Sequence, residues 1–395
     1  MPDTELFLRQ GAERRLRGGH LWVYSNEVDT ARHALTDFAP GQTVLVRSAR
    51  GEVLGSAYMD PHSLICARLY APGENCALDT AFFTRRLGEA LAGRETAFDE
   101  PFYRLVYGDS DGLPGVVVDR FGDYLVVQLN NAGAESGREA LLDALRETLQ
   151  PAGILLRADS RERRDSGLAR EAEVVFGDVP EQVDLRENGV HFLAPVHSGQ
   201  KTGWFYDHRV GRARLAPWVA GKSVLDVYSY IGGWGIQAAA FGASSVCCVD
   251  SSQPALDGVL VNARLNALEE RVSVRRGQAA DTLQALRDEG QMFDVVILDP
   301  PAFIQRRKDL KKGLTAYRRI YELGLRLLPP GGLLVAGSCS MHLARADMLS
   351  VLQQAAVRAG CRVQVVEQSA QGADHPIHPA IPETEYLKGV FLCRL

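Results

Sequence analysis

The chain has 395 residues, 44 basic and 49 acidic side chains for a net charge of −5, and 46% hydrophobic residues. Such a length allows two or three domains, and the balance excludes a disordered or collagen-like chain. No run approaches the roughly 18 consecutive apolar residues of a membrane span. The start, MPDTELFLRQ, places Asp3 and Glu5 where a signal peptide has positive charge and then an apolar run, so a cytoplasmic protein without a membrane partner is expected. Seven cysteines without any C-x-x-C spacing point to neither a disulfide framework nor a metal site. A nucleic-acid partner would require positive charge that is local, because the net charge supplies none.

Three blocks can be read in chain order. In the first, residues 1–72, GQTVLVRS (41–48) and VLGSAYM (53–59) both alternate about the turn signal Ala49-Arg50-Gly51-Glu52, which predicts a hairpin. Ahead of it, residues 9–28 set Arg9, Arg14, Arg15 and Arg17 beside Trp22 and Tyr24. Arginines next to aromatics suit phosphate contact and base stacking. For this stretch alone, two core aromatics and a solvated arginine face is the preferred expectation.

The second block covers residues 73–190. Helical spacing runs through ALDTAFFTRRLGEALAG, two apolar runs are parted by the turn Arg120-Phe121-Gly122-Asp123, SGREALLDALRETLQ (136–150) is amphipathic, and GILLRAD reads as a strand. The order predicts a small α+β module. RADSRERRDSGLAR (157–170) holds five arginines against three acids; an RNA-facing loop is conceivable there, with solvated charge the default.

In the third block, 191–395, the short apolar runs SVLDVY (223–228), SVCCVD (245–250), VSVRR (272–276), DVVILDP (294–300) and GLLVAGS (332–338) alternate with helical patterns. Alternation of this kind predicts a doubly wound α/β sheet with a mainly parallel core, whose ligands sit at the carboxyl ends of the strands.

Those ends carry the chemistry. The first leads through Asp226, Tyr228 and Ser229 to Gly232, Gly233 and Gly235, where missing side chains let backbone approach a ligand at a helix start. The second ends in Asp250 and Ser251, an acid placed for ribose hydroxyls, and the third is followed by Asp281, placed for an amino group. Three acids and a glycine loop in register resemble the methyl-donor site of class I S-adenosylmethionine (SAM) methyltransferases. A dinucleotide is disfavoured by the missing G-x-G-x-x-G.

The fourth strand ends in Asp299-Pro300-Pro301-Ala302-Phe303. Two prolines stiffen the backbone and remove two donors, leaving acceptors for a planar base with an amino group. This element resembles the [DN]-P-P-[YF] of nucleic-acid base methyltransferases. The fifth strand ends in Ser338-Cys339-Ser340. The other six cysteines read as fillers, but Cys339 falls beside Asp299 if the fourth and fifth strands adjoin, and a thiolate there can add to carbon 6 of a pyrimidine. Just beyond, residues 304–320 hold seven basic residues and one acid, the local positive charge an RNA partner requires.

Taken together the chain resembles the ribosomal large-subunit RNA methyltransferase I family over nearly its whole length. The resemblance is carried by R-R-L-R-G-G-H-L-W-V-Y-S (14–25), S-D-G-L-P-G-V-V-V-D-R-F-G-D (110–123), K-T-G-W-F-Y-D-H-R (201–209), Y-S-Y-I-G-G, V-D-S-S-Q-x-A-L-D, L-D-P-P-A-F and S-C-S. It continues in A-D-H-P (373–376) and P-E-T-E-Y-L-K-G (382–389). It implies an α/β chain of three parts: a β-rich N-terminal PUA RNA-binding domain (1–72), an α+β linker domain (73–190) and a C-terminal Rossmann-like class I methyltransferase domain (191–395). It further implies methylation of cytosine carbon 5 in 23S ribosomal RNA from SAM, with Cys339 the nucleophile and Asp299 the acid facing the base. By position, Asp250 matches the ribose-binding acid, Asp281 the acid near the adenine, and Lys201, Thr202, Gly203 and Asp207 the segment closing over the cofactor. Glu383 is a weaker candidate, since a structural role for its segment fits equally well.

The chain departs from the family at Gln200, where His is frequent, at Ile231, where Thr is frequent, and in the loosely matching 162–178. Three other readings stay open: guanine-nitrogen methylation without a covalent step, uracil in place of cytosine, and a non-catalytic RNA-binding assembly factor. A homodimer is allowed but has no signature.

Overall fold

In the computed structural model, which describes residues 1–2, 4–158 and 172–395, the chain divides into two compact units. The first comprises Met1–Val183, Pro195–Tyr206 and Ala373–Thr384; the second Asp184–Ala194, Asp207–Gly372 and Glu385–Leu395. Most of the 157–170 arginine run therefore lies outside the described residues.

Two five-stranded sheets build the first unit. β1 (Glu5–Phe7), β2 (Trp22–Tyr24), β3 (Thr43–Arg47), β4 (Val53–Met59) and β5 (Ile65–Pro72) lie in the order β1-β3-β4-β5-β2. β3 and β4 are the antiparallel hairpin that the alternation predicts, and their inward side chains join Leu6, Val23 and, from far along the chain, Ile381 in one core. The second sheet holds β6 (Phe102–Tyr107), β7 (Val116–Phe121), β8 (Tyr124–Leu129), β9 (Gly153–Leu156) and β10 (Glu173–Gly177) in the order β10-β9-β8-β7-β6. β7 and β8 close on the two residues Gly122-Asp123, and the left-handed φ of +64° at Gly122 is the backbone a two-residue hairpin loop demands. Helices Thr80–Ala97 and Arg138–Leu149 bring Phe82, Phe83, Leu141 and Leu145 to this sheet's core.

The arginine and aromatic stretch follows expectation only in part: Trp22 packs against the core. Trp22 and Tyr24 are half-buried; Trp22 Nε1 donates to Asp109 at 2.8 Å and the Arg68 guanidinium lies 4.9 Å from its ring centroid. Arg14 and Arg17 are exposed, as expected, whereas Arg15 is half-buried, pairs with Glu27 at 2.6 Å and covers the Tyr24 ring at 4.4 Å. A guanidinium that stacks and pairs at once is better held by local partners than by water.

In the second unit the hairpin of β11 (Val183–Glu187) and β12 (Val190–Ala194) precedes a seven-stranded sheet. Its strands are β13 (Ser223–Val227), β14 (Ser245–Asp250), β15 (Val272–Arg276), β16 (Val295–Leu298), β17 (Leu333–Ser338), β18 (Val363–Ser369) and β19 (Lys388–Arg394), in the order β15-β14-β13-β16-β17-β19-β18. The five predicted strands are mutually parallel. β16 is buried along its entire length, as a parallel strand covered on both faces should be. β19 adds antiparallel to β17, and β18 to β19, which the sequence did not suggest. Strand order reverses between β13 and β16, so the crevice of an α/β sheet opens above these two strands.

Candidate functional site

β13 and β16 pair in parallel, bringing Asp226 and Asp299 to the same edge. Asp226 is 1% exposed; one carboxylate oxygen accepts from Gly235 N at 2.8 Å and the other has no partner among the described residues. Burial pushes its carboxyl up to about 7, with Asp299 and Asp250 adding to the rise and Gly235 N–H and Arg212 opposing it. The turn beyond is tightly built. Tyr228 and Tyr230 take the left-handed φ values +67° and +49°, Gly232 follows at +88°, and the helix Gly233–Ala240 begins. A Cβ on Gly235 would stand 2.5 Å from Cys248 Sγ, so only glycine lets this helix start reach Asp226. Ser229 is buried, and its hydroxyl too has no partner among the described residues.

Asp250 uses both oxygens to fix the neighbouring backbone, accepting from Tyr230 N at 3.0 Å and Ser252 N at 2.9 Å. It thereby ties the β13 turn to the end of β14, while Ser252 caps helix Gln253–Leu265. Ser251 is exposed, with its carbonyl accepting from Arg276 at 3.2 Å. Asp281 is exposed in the first turn of helix Ala279–Asp288.

Around Asp299 the structure adds two residues that sequence reasoning missed. Trp234 Nε1 donates to its Oδ2 at 3.1 Å, and His208 Nε2 lies 3.1 Å from the same oxygen. His208 stands inside K-T-G-W-F-Y-D-H-R and Trp234 directly follows Y-S-Y-I-G-G, so a polar ring in or beside a motif was the signal available. β17 lies beside β16, so Cys339 and Asp299 follow neighbouring strand ends. Cys339 is half-buried. Its flanking serines are clamped by Tyr317: Ser338 Oγ donates to the phenol at 2.9 Å, which is 2.8 Å from Ser340 Oγ. Ile304 N reaches Ser340 Oγ at 3.2 Å, joining the loop after Asp299 to this turn. All seven thiols are free; Cys66 and Cys248 are buried and the other five half-buried.

The remaining candidates fall in both units. Lys201, Thr202 and Gly203 belong to the first unit. There Lys201 Nζ lies 4.9 Å from the Phe205 ring centroid, and the Thr202 hydroxyl donates to buried Asp119 at 2.5 Å. Gly203 has φ +102°. Asp207 belongs to the second unit and accepts from the Tyr386 hydroxyl. Glu383 is exposed in the turn Pro382–Thr384 of the first unit. Arg306, Arg307, Lys308, Lys311, Lys312 and Arg319 are exposed.

Residues 140–388 match the family model of S-adenosylmethionine-dependent methyltransferases, and residues 6–72 that of a PUA-like domain. The ribosomal RNA large subunit methyltransferase I of Erwinia tasmaniensis is 38% identical over 99% of both chains, and that of Cronobacter sakazakii 37% over 100% of both. The chain belongs to the ribosomal RNA large subunit methyltransferase I family. Its fold is shared with a Streptococcus mutans protein assigned as a SAM-dependent methyltransferase (TM-score 0.83, 21% identity, 99% of this chain and 100% of that one). A structure assigned as a methyltransferase and complexed with SAH agrees at TM-score 0.84, again with 21% identity and the same coverage. SAM is thus the methyltransferase's cofactor, and the residues present fit it. The unpartnered oxygens of Asp226 and Ser229 and the side-chain-free approach at Gly235 are what a polar nucleoside ligand would use.

Proposed function

We propose that this methyltransferase acts on carbon 5 of a cytosine in 23S ribosomal RNA, through a covalent adduct with Cys339. The observation that carries the reading is the adjacency of an acceptor-only carboxylate, Asp299, and a thiol, Cys339, after paired parallel strands. The relatives' names supply the large-subunit RNA, and that substrate places the enzyme in the cytoplasm.

The Cys339 thiolate bonds to carbon 6, and the ring's electron pair moves to carbon 5, making it nucleophilic. When bound, SAM supplies the electrophilic methyl group that carbon 5 takes. Loss of the carbon 5 proton then restores the double bond and expels the thiolate. Trp234 and His208 occupy Asp299 Oδ2, which fixes the carboxylate plane and leaves Oδ1, beside Gly337, as the acceptor for the base. An ionised carboxylate only accepts hydrogen bonds. It therefore favours cytosine, with an exocyclic amine, over uracil, with a carbonyl at that position, since a buried mismatch of two acceptors is costly. The strand-end acids Asp250 and Asp281 are the residues to hold ribose and adenine, with the Gly232–Gly235 backbone alongside. Should the target lie in a helix, it must leave the stack to reach this crevice.

Methyl transfer from labelled SAM to 23S ribosomal RNA, followed by nucleoside analysis, tests the reading. Wild type should yield 5-methylcytosine, and Cys339→Ala should lose turnover by roughly 10³-fold or more while still binding SAH. A methylated purine made equally by both proteins would replace the covalent reading with nitrogen attack.

A further inference from the structure

Lys388 opens β19 directly opposite Ser338 in the antiparallel register with β17, and only 5% of it is exposed. A buried ammonium must be given acceptors. Its Nζ finds two, Ser340 O and Tyr386 O, each at 2.8 Å. Both are neutral carbonyls, and among the described residues no carboxylate forms an ion pair with it. The groups that act on its charge are Cys339 and Glu385, which favour the protonated form, and Arg345, which opposes it. Glu385 is exposed and screened by water. That leaves the half-buried thiol as the ionisable neighbour whose charge would complement the ammonium, while Tyr317 stays a neutral hydroxyl because burial raises its own titration.

On the reading of Cys339 as nucleophile, on which this rests, we propose that Lys388 is a positioning residue. It holds the Ser338-Cys339-Ser340 turn through the Ser340 carbonyl and balances the charge of the Cys339 thiolate. The thiol proton leaves to solvent before the base arrives, and the nucleophile enters the reaction already ionised. Burial pushes Lys388 down to about 8, so the ammonium is still present at neutral pH and an anionic neighbour favours it. An ammonium at Lys388 and a thiolate at Cys339 each favour the other's charged form. Above about pH 8 Lys388 loses its proton and a thiolate its partner.

The test is the rate of Cys339 alkylation by iodoacetamide against pH, read peptide by peptide in the full chain for wild type and Lys388→Met. The expected result is a midpoint about one unit higher in Lys388→Met, hence roughly tenfold slower alkylation near pH 7, with SAH affinity unchanged. Identical profiles in the two proteins overturn the proposal. If Lys388→Met does not fold, wild type decides alone: a midpoint below about 8.5 supports the role and one at or above it ends it. Methyl transfer by Cys339→Ala separates the two ideas. An active Cys339→Ala ends the nucleophile reading, whereas an inactive one beside an unmoved alkylation midpoint ends only the role of Lys388.

Discussion

Asp226 sits where a carboxylate is least comfortable, in the middle of the sheet with, among the described residues, a single hydrogen bond, from Gly235 N. Its ordinary value is 3.8 and burial lifts it to about 7. Between those values the folded chain holds a proton that the unfolded chain has released, so this contribution to stability falls as pH rises from about 4 to about 7. Asp226→Asn removes the titration and keeps an acceptor for Gly235 N. Its melting temperature relative to wild type should climb by on the order of a few degrees between pH 5 and pH 8. A difference that stays flat with pH would mean the carboxylate is ionised throughout. The sequence singles out Asp226 by its place at a strand end, but its protonation depends on how deeply β14 and β16 cover it, which spacing does not encode.

Helix Leu310–Leu325 combines two tasks on two faces. Gly313, Tyr317, Ile320, Tyr321, Gly324 and Leu325 are buried, at the spacing of one helical stripe. The glycines permit the close approach: a Cβ on Gly313 would stand 2.2 Å from Ile304, and one on Gly324 2.7 Å from Leu298. Tyr317 from this stripe clamps the turn that carries Cys339, while Lys311, Lys312 and Arg319 face outward beyond Arg306, Arg307 and Lys308. Exposed cations on a rigid element suit phosphates. Replacing Arg306, Arg307, Lys311 and Lys312 together by Gln should weaken RNA binding. The slope of log affinity against log salt should fall by about 0.7–0.9 for each phosphate that is no longer neutralised. Stability should move little, about 0.5 kcal/mol or less per surface site, and SAH affinity not at all. An unchanged salt slope in a binding titration would remove this face from the RNA-binding surface. The charge cluster was legible as composition; the division into a clamping and a charged face follows from the 3.6-residue period and needed the sheet to say which side is covered.

Neither unit is one continuous stretch of chain. Ala373–Thr384 returns to the first unit and buries Asp374, His375 and Ile381 there. Asp374 accepts from Arg104 N at 3.3 Å and lies 2.9 Å from His375 Nδ1, and its carbonyl accepts from Arg94 at 3.4 Å. Arg94 also pairs with Asp111 at 2.6 Å, both side chains nearly inaccessible. Burial already pushes the Asp111 carboxyl up, and Arg94 is the strongest group holding it down. Arg94→Met should therefore leave a buried acid without its cation and cost about 3–5 kcal/mol, measured by denaturant unfolding; a loss below about 1 kcal/mol, on the scale of a surface pair, would show that water reaches Asp111. From the sequence alone come the alternation of strand and helix, the glycine loop, the acids and the thiol at strand ends, and the local basic run. These rest on periodicity and spacing, which act between near neighbours. Tertiary structure alone decided that β13 pairs with both β14 and β16, that β18 and β19 close the sheet antiparallel, that Trp234 and His208 share one oxygen of Asp299, and that Lys388 meets the turn of Cys339. Those facts depend on packing between distant segments and on the loss of water around charged groups, and neither is written in the spacing of any one stretch of chain.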